Sequence, residues 1–284
     1  MGYDDFIQKI NEAVAKFNSI KNLPIKIVSH MDADGIASAS ILIKALRRED
    51  RRFSASFVMQ LNKEFLEEIA NEECNTIFFL DIGSEFLHEI DKKLGDKNVF
   101  ILDHHNFDAK QKKMNHVNPR EFGLDYSEVS GAGITYLFCK FLNKENEDLA
   151  HLGFVGAIGD MQDSKGIIGI NKKILDEAVR RRKIELEEGF TLFGSDDEYL
   201  HKSLEYSVAP YIPGVTGNEN GTLEFLREIG IESNEDKPRR ISDLDKEEIK
   251  KLITGITLKR LGSDEDVGEI IGTIYKIKEG NESF

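Results

Sequence analysis

Cysteine, long apolar runs and positive charge are all scarce in this 284-residue chain. The two cysteines, Cys74 and Cys139, lie far apart without a clustered partner, which argues against a thiolate metal site and fits reduced thiols in a cytosolic protein. No apolar run approaches the roughly 20 residues that span a bilayer. Residues 1–10 lack the hydrophobic stretch of a signal peptide. We therefore expect a cytoplasmic, globular protein.

Basic residues are outnumbered, because 38 lysines and arginines face 52 acidic residues and give a net charge of −14. Such a surface repels phosphate backbones, so charge alone argues against nucleic-acid binding. Two observations weaken that argument. Several acidic residues stand where a metal site is predicted below, and the bases cluster at residues 47–52, 180–183 and 237–240. Each cluster is more typical of a solvated helix face or loop than of a phosphate track, so net charge leaves the partner open.

Short apolar strands alternate with amphipathic helices along residues 1–102. This alternation predicts an α/β fold with a doubly wound, mostly parallel sheet. The predicted strands are 25–29, 53–59, 76–80 and 98–102, and the predicted helices are 4–18, 36–46, 62–70 and a fourth that Ser84 caps.

The pattern changes after the fourth strand. Apolar residues over 131–142 predict a helix capped by Ser130, and residues 149–160 predict a buried helix, with a strand as the alternative. A charged helix is expected over 171–187. Beyond Gly194, prolines and glycines concentrate between short helices, which indicates a small helical accessory region. The helices expected there are 222–229 and 244–261, the latter capped by Asp243 or a neighbour, and a strand follows at 270–277.

Three of the predicted strands end in potential metal ligands. His30 follows the first strand, Asp81 follows the third, and Asp103-His104-His105 follows the fourth. Because ligands bind beyond the carboxyl ends of parallel strands, we expect these side chains to converge at one edge of the sheet. The first strand continues as His30-Met31-Asp32-Ala33-Asp34-Gly35, a turn in which alternate side chains point toward a common centre.

A further carboxylate, Asp160, ends the glycine-containing segment 155–159. A pair of ions that share one carboxylate needs about six ligands, and Asp81 is the natural bridge. Carboxylates and imidazoles suit manganese, magnesium or zinc. A helix cap remains the alternative for Asp81, and a structural role remains the alternative for the two adjacent histidines. The candidate ligands are His30, Asp32, Asp34, Asp81, His104 and Asp160.

Two further features predict contacts around this site. Adjacent histidines project in different directions, so one can bind metal while the other faces substrate, and Asp103 can orient an imidazole. Ser130-Gly131-Ala132-Gly133 opens a predicted helix, whose free N–H groups and dipole favour an anion. Beside a two-metal site we predict phosphate contacts from Ser130, Gly131 and Gly133.

These segments, taken in order, resemble the motifs of the DHH phosphoesterase superfamily. Residues 210–218 resemble a stretch of archaeal RecJ-like single-strand exonucleases, which include the nuclease associated with the GINS replication complex. The resemblance implies a manganese-dependent phosphodiesterase, with magnesium as the alternative ion, that digests single-stranded DNA or RNA from an end by two-metal hydrolysis. Its expected setting is DNA replication and repair or RNA processing. The four successive motifs are matched by residues 30–35, 81–83, 103–105 and 156–160, and residues 130–133 match a further segment.

The resemblance also assigns roles to single residues. His105 would contact the scissile phosphate, with Asp103 behind it. One manganese would be held by His30, Asp32 and Asp81, and the second by Asp34, Asp81, His104 and Asp160.

The expected domains are a DHH catalytic domain over 1–195, a helical accessory region over 196–269 and a connector over 270–284. The connector would lead toward a DHHA1 domain, whose glycine-rich basic motif we do not find in the sequence. Two alternatives stay open. One is a phosphoesterase for short oligonucleotides or cyclic dinucleotides, and the other is a non-catalytic replication-fork scaffold, which would be expected to lack some ligands.

Overall fold

The computed structural model describes residues 2–20, 24–108, 115–164, 166–192, 198–208, 210–233, 237–261, 270–279 and 282–283. The chain divides into two compact units. The first comprises Met1–Ile184 and Ile277–Phe284, and the second comprises Glu185–Lys276.

The first unit contains a five-stranded sheet in the order β2-β1-β3-β4-β5, with all neighbours parallel. The predicted α/β fold with a doubly wound, mostly parallel sheet is confirmed. Its strands are β1 (Ile25–His30), β2 (Phe53–Val58), β3 (Thr76–Leu80), β4 (Asn98–Leu102) and β5 (Asn115–Val117). Its helices are α1 (Tyr3–Asn18), α2 (Ala33–Arg48), α3 (Lys63–Ala70), α4 (Leu87–Leu94), α5 (Gly131–Leu142), α6 (Ala150–Gly159) and α7 (Gly169–Arg180).

Both faces of the sheet are buried at its central strands β1, β3 and β4, which explains why these strands are continuous apolar runs. On one face the rings of Phe78 and Phe100 stack with centroids 4.8 Å apart, and Phe17 of α1 meets Phe78 edge-on at 5.3 Å. On the other face Phe79 and Ile101 pack with apolar residues of α3 and α4. The two faces hold the strands rigidly, so the loops at their carboxyl ends are well positioned.

Two local predictions are wrong. Ser84 does not cap α4, because it lies inside a short 3₁₀ turn, Ser84–Phe86, that precedes the helix. The helix predicted over 171–187 stops at Arg180, and Arg182 takes a left-handed backbone with φ of 58°. The chain then enters a strand at Ile184, where apolar and charged residues no longer follow the helical period.

The second unit has a core of its own, formed around Phe190, Leu204, Phe225 and Ile256. In α10 (Lys246–Arg260) the cap is Asp245, a neighbour of Asp243, and its carboxylate accepts from the N–H groups of the first turn. Within the described residues, no helix is long and apolar enough to cross a membrane. The helices of the second unit are α8 (Leu200–Tyr206), α9 (Glu219–Glu228) and α10 (Lys246–Arg260). A second sheet of the chain has the strand order β6 (Ile184–Phe190), β7 (Ile271–Glu279) and β8 (Glu282–Ser283).

Candidate metal centre

The candidate ligands lie where three adjacent parallel strands end. Ser29, Leu80 and Leu102 share one register level across β1, β3 and β4, so the residues that follow them leave the sheet at the same edge. The crossover between β1 and β3 is also where the strand order reverses, the place at which open α/β sheets bind ligands. The sheet therefore forms a single crevice for the predicted site.

Asp81 lies at the centre of this crevice and is 1% exposed. Its backbone is left-handed, with φ of 56°, and its N–H donates to the carbonyl of Leu102 at 2.9 Å. A non-glycine residue rarely takes this conformation, which is found preferentially at functional sites. The strained backbone is thus consistent with a carboxylate that has a specific task.

The first ligand group consists of His30, Asp32 and Asp81, whose ligand atoms all lie within 4.8 Å of one another. His30 Nδ1 lies 2.8 Å from Asp32 Oδ2 and 3.6 Å from Asp81 Oδ2. The other carboxylate oxygen of Asp32 caps α2 by accepting from the N–H of Gly35 at 2.9 Å, which fixes the turn. The Asp81 carboxylate, assisted by Asp32, raises the pKa of His30 to about 9 against the opposing effect of burial.

The second group consists of Asp34, His104 and Asp160. His104 Nε2 lies 3.1 Å from Asp160 Oδ2, 3.3 Å from Asp81 Oδ1 and 3.8 Å from Asp34 Oδ2. Burial opposes the charged imidazole, but the surrounding carboxylates, Asp160 and Asp81 foremost, raise the pKa of His104 to about 11. Asp81 reaches both groups with its two oxygens, as a shared ligand must.

Asp34 is buried and held by α5. Its carboxylate accepts from the N–H of Gly131 at 2.7 Å and from that of Ala132 at 2.9 Å. Burial, and the nearby charge of Asp81, raise the pKa of Asp34 well above its ordinary value. In the metal-free protein a proton or a cation must therefore compensate this carboxylate.

The predicted phosphate contacts at Ser130, Gly131 and Gly133 need correction. The helix N-terminus does bind an anion, but that anion is the protein's own Asp34 carboxylate. The hydroxyl of Ser130 accepts from the N–H of Gly133 at 3.1 Å, and all three residues are buried. These groups are already satisfied and are not available to a substrate phosphate.

Glycine is required at two positions by close approach to the carboxylates. A Cβ at Gly131 would lie 2.7 Å from Asp81 Cβ and 2.8 Å from Asp81 Oδ1. A Cβ at Gly156 would lie 2.1 Å from Asp34 Oδ1. The small residues of α5 and α6 therefore make room for two of the candidate ligands.

His105 lies at the mouth of the crevice, with its side chain 46% exposed, and forms a third group of possible ligands with Asp81 and His104. Its Nδ1 lies 2.7 Å from Asp103 Oδ1, which raises the pKa of His105 although partial burial opposes this. Burial of Asp103 acts the other way, yet contact with His105 and the N–H of Ser84 hold the pKa of Asp103 below its usual range. The arrangement leaves Nε2 as the outward nitrogen of His105.

A set of side chains behind the Asp103–His105 turn was missed by sequence reasoning. Asn118 donates to the carbonyl of His105 at 2.9 Å and to Ser84 Oγ at 3.0 Å, and Arg120 Nε donates to the carbonyl of His104 at 2.9 Å. His116 bridges Ser84 Oγ and Glu121 Oε1 with its two ring nitrogens, both at 2.9 Å. In sequence, Asn118-Pro119 signals only a turn.

The donor atoms of the centre fit divalent cations. His30 Nδ1, both carboxylate oxygens of Asp81 and His104 Nε2 are buried, and they make no hydrogen bond although they lie within 4 Å of other polar atoms. Buried polar atoms are ordinarily satisfied, so these lone pairs directed at a shared space indicate ligands for a cation. Carboxylates and imidazoles suit manganese, magnesium or zinc, and the absence of a thiolate among these candidate ligands removes any specific demand for zinc.

Two family models match separate parts of the chain. Residues 24–157 match the model of the DHH family, N-terminal domain, and residues 192–270 match the DHH-CID domain. The chain belongs to the DHH family. The DHH superfamily is in general one of metal-dependent phosphoesterases. An uncharacterized protein of Methanocaldococcus jannaschii is 34% identical over 261 residues, which cover 89% of this chain and 57% of that relative. The DHH chain therefore spans little more than half of its relative's length.

Two solved structures share the fold. A crystal structure of exonuclease RecJ bound to manganese is 17% identical to this chain, with a TM-score of 0.53. The match covers 89% of this chain and 66% of the RecJ chain. CDC45 from Entamoeba histolytica is 14% identical to this chain, with a TM-score of 0.65. The match covers 99% of this chain and 61% of the CDC45 chain. At these identities the likeness establishes the DHH fold and no more.

Proposed function

We propose that this DHH protein is a manganese-dependent phosphodiesterase that digests single-stranded DNA or RNA from an end, in DNA replication and repair or RNA processing. The observation that carries the proposal is the pair of ligand groups that meet at Asp81 with unsatisfied donor atoms. When bound, two divalent ions would lower the pKa of a water molecule and neutralise charge on the phosphoryl group. The motif resemblance and the exonuclease RecJ fold support this reaction class.

The protein's own residues would position the substrate and the ions. His30, Asp32 and Asp81 would hold one ion, and Asp34, Asp81, His104 and Asp160 the other. Asp103 fixes Nδ1 of His105, so Nε2 is the nitrogen that would donate to a phosphate oxygen. The raised pKa of His105 favours the protonated ring that such a donor needs.

Several arginines of the three basic clusters, at residues 47–52, 180–183 and 237–240, already pair with acidic residues of the protein itself. Arg48 pairs with Asp148 through two 2.7 Å contacts, and Arg239 pairs in the same way with Glu248. Arg181 pairs with Glu147. We therefore propose that the metal ions, rather than a continuous basic track, supply the main attraction for the substrate backbone.

A second candidate, a replication-fork scaffold that binds the GINS complex, is favoured by the CDC45 fold over 99% of the chain. The complete ligand set argues for hydrolysis instead, because a scaffold has no need to keep six ligands together. Pull-down of purified GINS by this protein tests the scaffold directly. Binding and hydrolysis are compatible, so GINS capture alone does not contradict the enzyme.

The deciding experiment is Asp81→Asn with manganese titration on end-labelled DNA and RNA single strands. We expect the variant to lose most of its activity at every manganese concentration, because both ligand groups lose an anionic oxygen. Asp91→Asn is the matched control, since Asp91 is an exposed aspartate on α4. Wild-type hydrolysis by Asp81→Asn would refute the mechanism. Turnover of dinucleotides alone would favour the small-substrate alternative.

A further inference from the structure

A recess of about 130 Å³ opens beside the metal centre. Its inner end is formed by residues of the centre, among them His30 and His105. Its outer end lies between two loops, the one after β2 and the one after β3. The side chains that form this outer end are Met59, Gln60, Leu61, Ile82, Glu85 and Phe86.

The outer end is chemically unlike the inner end. Met59, Leu61, Ile82 and Phe86 give it apolar walls, and Met59 is 72% exposed although it is a large apolar side chain. Such methionines make adaptable contacts with aromatic rings.

Charge decides what this end can accept. Among the described residues that line the recess there is no lysine or arginine, and Glu85 adds an exposed carboxylate. A phosphate is therefore repelled from the outer end and is attracted only where ions would neutralise the carboxylates of the inner end. An uncharged planar group with N–H donors meets no such penalty, because the carboxylate of Glu85 and the amide of Gln60 accept hydrogen bonds.

We propose that the recess binds the nucleobase of a nucleotide next to the phosphate that is hydrolysed. The volume exceeds that of a few waters, at roughly 30 Å³ each, and is in the range of one heteroaromatic ring system. Apolar walls accept every base, since each has a π-face, so the recess adds affinity without strict sequence preference. This inference rests on the proposed function, because it takes the metal centre as the phosphate site.

An abasic scan tests the recess. A set of labelled single strands, each with one abasic residue at a different distance from the end, is titrated in calcium with the 284-residue protein, and anisotropy gives each affinity. We expect one abasic position near an end to weaken binding by about tenfold, the effect of one stacked base, and the others to weaken it little. Met59→Ala should bring the ratio of intact to abasic affinity toward one.

Leu258→Ala is the matched control, because Leu258 is an apolar side chain that is 61% exposed in the second unit. It should keep the full abasic penalty. Equal affinity for every strand, or an undiminished penalty in Met59→Ala, would overturn the recess assignment. Hydrolysis of the same strands in manganese separates the two proposals. If the strands are hydrolysed and no abasic position weakens binding, the exonuclease proposal stands and the nucleobase assignment of the recess is wrong. If one abasic position weakens binding and no strand is hydrolysed, the nucleobase assignment stands and the exonuclease proposal is wrong.

Discussion

The carboxylate of Asp34 caps a helix that begins 97 residues further along the chain, where its Oδ2 accepts from the N–H of Gly131 at 2.7 Å. The positive end of the α5 dipole thus stabilises a candidate metal ligand. Asp34 is fixed before any ion binds. An anion site that the sequence predicts for substrate is used by the protein to build its own metal centre.

Gly131→Ala is predicted to weaken manganese binding by about 10–100-fold, the effect of disturbing the groups that orient metal ligands. The new methyl group would lie 2.7 Å from Asp81 Cβ, and α5 cannot retreat without losing its bond to Asp34. Isothermal titration with manganese measures the change. Gly2→Ala is the control, because a Cβ there meets nothing within 4 Å. Unchanged affinity in Gly131→Ala would show that Asp81 is not held in this way.

Asn118→Ala is predicted to lower kcat more than manganese affinity, because it removes the donor that holds the carbonyl of His105. Asn118 is buried, so its loss leaves Ser84 and His105 with unmet acceptors and destabilises the fold by about 1–3 kcal/mol. Asn115→Ala is the matched control: it removes a bond from Asn115 on β5 to the carbonyl of Val99 on the neighbouring β4 and leaves His105 untouched. Steady-state kinetics beside metal titration separates the two variants, and equal loss of kcat in both would contradict a positioning role for Asn118.

Arg48→Gln is predicted to lower the free energy of unfolding by about 1 kcal/mol and to leave the affinity for single strands unchanged. Arg48 binds Asp148 with both terminal guanidinium nitrogens and also donates to Asn146 Oδ1, so its charge is already used within the fold. Arg47→Gln is the control, an adjacent exposed arginine. Urea unfolding and the salt dependence of strand binding are measured for both. A shallower salt dependence in Arg48→Gln would show instead that this arginine contacts phosphate.

The sequence predicted the central strands and the convergence of the six candidate ligands because both depend on local information. An apolar run that ends in Asp81 reads as a buried strand with a ligand at its mouth, and a parallel sheet brings such ends together. The prediction failed where long-range partners decide. Nothing near Gly131 shows that Asp34 will occupy the helix N-terminus, and nothing near Ser84 shows that its N–H will donate to Asp103. β5, a three-residue strand with two polar residues, gave no periodic signal at all.

Protons and metal ions should compete for the centre, and this competition makes stability depend on pH. In the metal-free protein the pKa is about 9 for His30 and about 11 for His104, whereas an unfolded histidine titrates near 6.5. Between these values the folded state binds more protons than the unfolded state. The stabilisation is therefore complete below pH 6.5 and is lost as the pH rises through 9 and then 11. The raised pKa of Asp34 acts with the same sign, because its stabilisation is also lost as the pH rises.

We therefore expect the free energy of unfolding, measured by urea titration in a chelator, to fall steadily from pH 6.5 to pH 10. His30→Gln should make the fall less steep, and His88→Gln should not, because His88 is exposed and outside the centre. Excess manganese should make the free energy of unfolding less dependent on pH, since the ions replace the protons. Manganese binding at pH 7.5 should also release protons, which an indicator dye detects.

Metal-free stability that rises over this range would mean that the carboxylates do not hold His30 and His104 in their charged forms. A flat proton balance on manganese binding would mean that the ions bind elsewhere, because ligation at these two imidazoles requires both to lose the proton that the surrounding carboxylates retain.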